Sequence, residues 1–170
     1  MIESSGAPAA PGPREVFARM QRQWVGDAAD MEHIDDLLAD DVVVESPFAP
    51  PGRPRRFEGR TEFLAFAQAG RASMPPVRFE HCREIAVHDT ADPEVIVVEY
   101  ELGGVVTATN HRAVAPFIGV LRVRNGRIQH WREYQNVLAI AHALGQLPAL
   151  LASMDTGGPG SAPPAPGADS

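Results

Sequence analysis

Asn125 to Gly145 reads NGRIQHWREYQNVLAIAHALG, and how this stretch is parsed decides the fold. Asn-Gly is a tight-turn pair, because both residues tolerate positive φ at little cost. Arg127 to Gln135 mixes Ile, Trp and Tyr with charged and amide side chains, the composition of a half-buried strand. Asn136 suits a helix N-cap. Val137, Leu138, Ile140, Ala141 and Leu144 make an apolar stripe at helical spacing, and Gly145 suits the left-handed position that ends a helix. One carboxylate, Glu133, falls mid-strand beside Trp131, where a purely solvent-facing role would not need it.

Working back from this strand, residues 77–124 keep a period of two. Val77, Phe79, His81, Arg83, Ile85 and Val87 alternate with Arg78, Glu80, Cys82, Glu84, Ala86 and His88, a half-buried strand whose apolar face is interrupted by Arg83. Asp89 to Pro93 is a turn and Val95 to Leu102 a second strand. Gly103-Gly104 reads as a turn or bulge, and Val105 to Arg124 as a long third strand that Pro116 bends at an edge.

Earlier still, the period becomes 3.6. Val16, Phe17, Met20 and Trp24 share one helical face, entered at Pro13 and stopped at Gly26. A second helix is expected with Asp30 as N-cap and Met31, Ile34, Leu37 and Leu38 as its stripe, ending at Asp40-Asp41. Val42 to Glu45 is a short strand. The proline-rich loop that follows, as far as Phe57, holds no regular element. Thr61 caps a third helix with Phe63, Leu64, Phe66 and Ala67, ending near Gly70.

These elements predict an α+β fold in which a curved, mostly antiparallel sheet wraps as a cone around three N-terminal helices and carries a short C-terminal helix. A single domain over residues 14–152 is expected, with Pro/Gly/Ala-rich tails at 1–13 and 153–170 disordered. The chain has 170 residues and a net charge of −7, with 15 basic residues, all of them Arg, against 22 acidic ones. An acidic chain without a basic block argues against nucleic acid and anionic membrane as partners. Cys82 is the only cysteine, so no internal disulfide forms and a reducing compartment is the default. No secretory signal is expected, and no apolar run reaches membrane-spanning length, so the expectation is a cytoplasmic protein.

LLADDVVVESP, FEGRTEFLAF and RNGRIQHWREYQN together resemble the SnoaL-like and ketosteroid-isomerase-like proteins of the nuclear transport factor 2-like superfamily. REYQNVLAIAHALGQLP is similar to the phenazine-biosynthesis A/B subgroup. The resemblance covers roughly Val16 to Pro148 and implies the cone-shaped α+β barrel, usually dimerised through the outer face of its sheet. It implies activity less directly. Ser46 stands where ketosteroid isomerases carry their general base Asp, Gly119 near their oxyanion-hole Asp, and Arg22 near its Tyr partner. Steroid isomerisation is therefore not expected. Glu133 matches the acid/base Glu of the phenazine proteins, while Phe66 stands where those have a His.

The side on which Glu133 falls depends on the turn. A two-residue type I′ turn at Asn125-Gly126 would group Glu133 and Trp131 with Ile118 and Val120. A three-residue turn with a bulge at Gly126 would group them with Phe117, Gly119 and Leu121. The second keeps the cavity positions implied by the resemblance on one face and is preferred. It turns Gln129, Glu133 and Gln135 inward and His130, Arg132 and Tyr134 outward. Glu133 is then the candidate acid/base, its pKa raised by burial. His111 is the candidate titratable partner, with an exposed loop histidine as the competing reading. Trp24, Ser46, Phe66, Tyr100, Phe117, Trp131 and Gln135 are the candidate substrate-binding residues, each of which also fits ordinary packing. Glu45 can face either way.

No H-x-H, H-E-x-x-H, glycine-rich phosphate loop or G-x-S-x-G is present, so no metal or cofactor is expected. The expected function is a cofactor-independent isomerase, cyclase, dehydratase or condensing lyase. It would act on an apolar, carbonyl-bearing metabolite, and the resemblance implies bacterial secondary metabolism. A non-catalytic small-molecule-binding or dimerisation module is the alternative. A homodimer is expected in either case.

Overall fold

A computed structural model describes residues 10–27 and 34–156. The described elements are α1 (Pro13–Trp24), β1 (Gly26–Asp27), β2 (Leu38–Glu45), β3 (Arg56–Glu58), α2 (Arg60–Ser73), β4 (Val77–Asp89), β5 (Val95–Val106), β6 (His111–Arg124), β7 (Arg127–Gln135), α3 (Val137–Ala143) and α4 (Leu147–Thr156). They form an α+β fold around one open, cone-like sheet in the order β1-β4-β5-β6-β7-β2-β3. Every neighbouring pair is antiparallel except β2 with β7. No described helix is long and apolar enough to cross a membrane.

The apolar stripe of α1 works as its spacing predicts. Val16, Phe17, Met20 and Trp24 are all buried, and the helix packs across β4 to β7. Burial stabilises each such side chain by roughly 1.5–3 kcal/mol. In α2 the apolar positions Phe63, Phe66, Ala67 and Gly70 recur at helical spacing, yet none is fully buried. That face looks onto a cavity rather than into packed core.

Several expectations change. The second helix is not found where it can be seen: Asp30 and Met31 lie outside the described residues, 34–37 form a 3-10 turn, and β2 already begins at Leu38. Among the described residues, two helices and a turn thus stand in place of three helices. Leu38 is drawn into the sheet because it pairs with Ile128 and its carbonyl accepts from Arg127 Nη1. That tertiary pairing outweighs the local helical pattern. Within the proline-rich loop, β3 pairs residues 56–58 with β2, and the Ser46 amide donates to the Arg55 carbonyl to close it.

Gly103-Gly104 is no turn. β5 runs through both to Val106, and the chain reverses at 107–110, with Asn110 at φ 54°. The glycines are there for close approach: a Cβ at Gly103 would lie 2.0 Å from His81 Cε1, and one at Gly104 2.7 Å from the Arg78 carbonyl oxygen. Pro116 lies on an interior strand, but where β7 has just ended, so its missing N–H costs no sheet bond. At the other end of the chain, α4 runs across the expected boundary at 152, and residues 157–170 lie outside the described ones, as do residues 1–9.

The faces of β4 also differ from strict alternation. Register shifts leave Glu80 and Ile85 without partners, so the side chains change sides twice. Arg83 is thereby turned out to bond Glu101 Oε1 at 2.7 Å, while Cys82 and Val87 pack on the core. The charged interruption read on the apolar face is removed by those bulges.

Candidate active site

The turn that decides the site is a two-residue one. Arg124 pairs with Arg127, and Asn125 and Gly126 take φ of 52° and 75°, the type I′ pattern. On that turn alone Glu133 would face outward. Two residues further on, however, Arg122 pairs with His130 while Val123 pairs with Ile128, leaving Gln129 unpaired as a β-bulge. The expected inward grouping of Glu133 therefore arises from a bulge at Gln129 and not at Gly126. Ile128 takes the core position, fully buried, and Trp131, Glu133 and Gln135 pair with Leu121, Gly119 and Phe117. Gln129 is the bulged residue itself rather than a member of the inward set. His130 and Arg132 face out.

Between this strand, α2 and the loop 46–55 lies a cavity of about 380 Å³. This volume suits a small organic molecule. Trp24, Ser46, Phe66, Phe117, Trp131, Glu133, Gln135 and His111 all line it. Phe57, Phe63 and Val44 add apolar wall that the sequence did not single out, and Arg53 and Arg71 add cations. Tyr100 is not on the wall: it is fully buried behind it, stacked between Trp24 and Phe117 with ring centroids 5.3 and 5.2 Å away. His111 sits exposed where β6 begins, its ring 6.3 Å from that of His142 on α3.

Glu133 is the one charged residue type buried among these aromatics in the described chain. Its Oε1 accepts from Tyr100 Oη, and its Oε2 accepts from Gln135 Nε2 at 2.6 Å. No arginine or histidine among the described residues pairs with it. Burial pushes its pKa above the ordinary carboxylate value, with the bonds from Tyr100 and Gln135 pulling partly back. Burial and the facing carboxylate hold the Tyr100 phenol far above its usual value, so it stays a neutral donor. Cys82, close enough to sense Glu133, is pushed up to about 11, mainly by burial, and is a thiol at neutral pH.

Gly119 makes the Tyr100–Glu133 bond possible. It lies on β6 between Val98 of β5 and Glu133 of β7, and the phenol crosses over it from one strand to the other. A Cβ there would fall 3.1 Å from Val98 Cγ2, 3.3 Å from Leu121 Cδ1 and 3.6 Å from Tyr100 Cε1. A mid-strand glycine was the only sign of this crossing in the sequence.

A second carboxylate lies on the opposite face. Glu45 of β2 accepts from Arg132 Nε and Arg56 Nη1 at 2.7 Å each, and its Oε2 lies 2.8 Å from His130 Nε2. Those contacts, Arg132 first, hold its pKa down to about 2. Glu45 is thus an outward structural anion. Trp131 Nε1 is buried without a hydrogen-bond partner. Among the described residues no three His, Cys, Asp or Glu side chains cluster as a metal site.

Residues 15–131 match the SnoaL-like domain model. The chain belongs to the SnoaL-like family, within the nuclear transport factor 2-like superfamily. An uncharacterized PhzA/B-like protein of Pseudomonas aeruginosa is 35% identical over 114 residues, 67% of this chain and 78% of that one. A phenazine biosynthesis-related protein of the same species superposes with a TM-score of 0.58 at 19% identity, over 78% of this chain and 80% of the other. A Catenulispora acidiphila protein with a ketosteroid isomerase-like fold gives 0.57 at 16%, over 79% and 95%. At those identities the structures establish the shared fold. The SnoaL-like match and the apolar cavity make a small-molecule site the coarse functional assignment.

Proposed function

We propose that this SnoaL-like protein is an acid/base enzyme, an isomerase, cyclase, dehydratase or condensing lyase, acting on a carbonyl-bearing metabolite with an apolar body. The observation that carries the proposal is Glu133: a buried carboxylate on an apolar cavity wall, held by two neutral donors and paired with no cation. Each oxygen has a further acceptor site beyond the bond it already makes. In the proposed step Glu133 takes a proton from the carbon next to the carbonyl. The C–H electron pair passes to the carbonyl oxygen as an enolate, and the proton is returned at another atom of the same substrate. The pKa raised by burial makes this carboxylate a stronger base than an exposed one. His111 at the rim is a second titratable group within the cavity lining, available for relay to solvent. The phenazine-related structural neighbour supports a place in bacterial secondary metabolism.

Exchange of α-protons tests this directly. Small aryl ketones incubated with the protein in D₂O should lose their α-proton NMR signals faster than in buffer alone, and Glu133→Gln should reduce the loss to the buffer rate. Exchange that persists undiminished in Glu133→Gln removes Glu133 from the mechanism. A binding module without catalysis is the second reading, favoured by Ser46 and Phe66 standing at positions where relatives of this fold carry a base and a His. Ligand-induced stabilisation without any exchange would select it.

For assembly we propose a homodimer through the outer face of the sheet. Pro116 and Ile118 are exposed on the side of β6 opposite Ala115 and Phe117, which supports an apolar contact there. Light scattering at micromolar concentration should give twice the chain mass, and a monomer mass overturns the proposal.

A further inference from the structure

The arginines of this chain are nearly all spoken for. Most form an ion pair with a carboxylate, and Arg127 donates to the Leu38 carbonyl. Among the described residues only Arg22, Arg53, Arg55 and Arg71 lack such a partner. Two of these, Arg53 and Arg71, line the cavity. They come from different elements, Arg53 from the loop between β2 and β3 and Arg71 from the last turn of α2. Arg53 is exposed and Arg71 half-buried, whereas Glu133, Trp24 and Trp131 are buried, so the cations stand outward of the carboxylate.

Glu133 is also the only Asp or Glu among the described lining residues. In a chain of net charge −7 the cavity wall therefore has an excess of positive charge at its outer part and an apolar, aromatic interior. A guanidinium left without a carboxylate on a cavity wall has its fork of donors free for a ligand anion. The geometry points to a substrate with an apolar body and one carboxylate: the carboxylate bound by Arg53 and Arg71, the body inserted toward Glu133. This rests on the reading of the cavity as a small-molecule site and narrows its substrate class. A carboxylate fits better than a phosphate because Arg71 lies at the C-terminal end of α2. The negative end of the helix dipole there disfavours a dianion. The two cations also give the substrate a direction: its charged end stays outward, so the carbon presented to Glu133 is remote from the carboxylate.

Both tryptophans of the chain, Trp24 and Trp131, line the cavity, so their fluorescence reports its occupancy. The probes are 4-phenylbutyrate and its neutral isostere 4-phenylbutanamide, titrated into the full chain. The acid should bind at least tenfold tighter than the amide at low salt, and the margin should shrink as salt rises. R53Q and R71Q should each cut that preference several-fold, and the double variant should abolish it. Amide affinity and melting temperature should be unchanged in all three. R53K and R71K should retain much of the preference, which a purely structural role would not explain. Equal binding of acid and amide, or a preference that survives in the double variant, overturns the anion subsite alone. E133Q should keep the acid preference, so loss of catalysis and loss of anion recognition are read separately. Failure of both probes to alter fluorescence overturns the small-molecule reading together with the subsite.

Discussion

Glu45 and Glu133 lie on neighbouring strands almost side by side, Glu45 being in register with Arg132. Their chemistries are opposite. Glu45 looks outward and is held at about pH 2 by Arg132, His130 and Arg56. Glu133 looks inward, is raised by burial and has only neutral donors. The sheet is one layer thick, so a single step along β7 moves a carboxylate from a solvated ion cluster to an aromatic cavity. The kind of residue does not set the direction of the pKa shift here; the face does, and the face is set by one unpaired residue, Gln129.

The largest effect on this contrast is expected of Glu133→Gln, which should lower turnover by about 10²–10⁴-fold while leaving stability at neutral pH equal or higher. The group's folded pKa is raised above its usual 4.5, so the native state binds more protons than the unfolded chain between the two values. Stability therefore falls as pH rises from 4.5 through the raised pKa, and the substitution removes that fall. Melting temperatures measured across pH 4 to 8 check it; an unchanged slope would place the titration elsewhere.

Tyr100→Phe should sharpen the comparison by taking one donor from the inner carboxylate. Since that bond lowers the Glu133 pKa, its loss moves the limb of the pH–rate profile to higher pH. It should destabilise the fold by about 1–3 kcal/mol. Gly119→Ala, which crowds the phenol's path, should move the limb the same way while Tyr100 remains present. A limb that stays in place in both variants would remove Tyr100 as the orienting donor.

The smallest effect is expected at Glu45. Its folded pKa is depressed below 4.5, so its contribution to stability is complete above that pH and is lost as pH falls from 4.5 towards 2. Its partners Arg56 and Arg132 are about half and two-fifths exposed, with side-chain exposures of 49% and 40%. Glu45→Gln should therefore cost only about 0.5–1 kcal/mol. It should flatten the acid limb of the stability profile and leave the neutral limb and the turnover alone.

The sequence made some of this legible because local chemistry decided it. Asn125-Gly126 turns the chain, the Asn136 side chain accepts from the Ala139 amide at 3.0 Å, and Gly145 takes φ 67°. Each of these is settled within a few residues. The bulges at Glu80, Ile85 and Gln129 were hidden, because an unpaired strand residue is defined by its neighbour strand and leaves no local mark. Leu38 was read as helix for the same reason: its partner, Ile128, is remote in sequence. Nor could the apolar face of α2 say whether it met core or cavity. The face of Glu133 was reached from the family resemblance through the wrong bulge. Arg53 and Arg71 stand out only once the partners of the other arginines are known.

β7, the last strand of the sheet in chain order, lies in its interior, antiparallel to β6 and parallel to β2. The Glu45 contacts to His130 and Arg132 join residues 85 and 87 positions apart, and Arg127 reaches 89 positions back to Leu38. Such long closures make folding slow. A nascent chain must therefore carry α1, β2 and the aromatic wall unfinished until the Glu133 strand emerges to join its two sides. The strand bearing Glu133 is thus also the keystone of assembly, and no earlier intermediate holds a completed cavity.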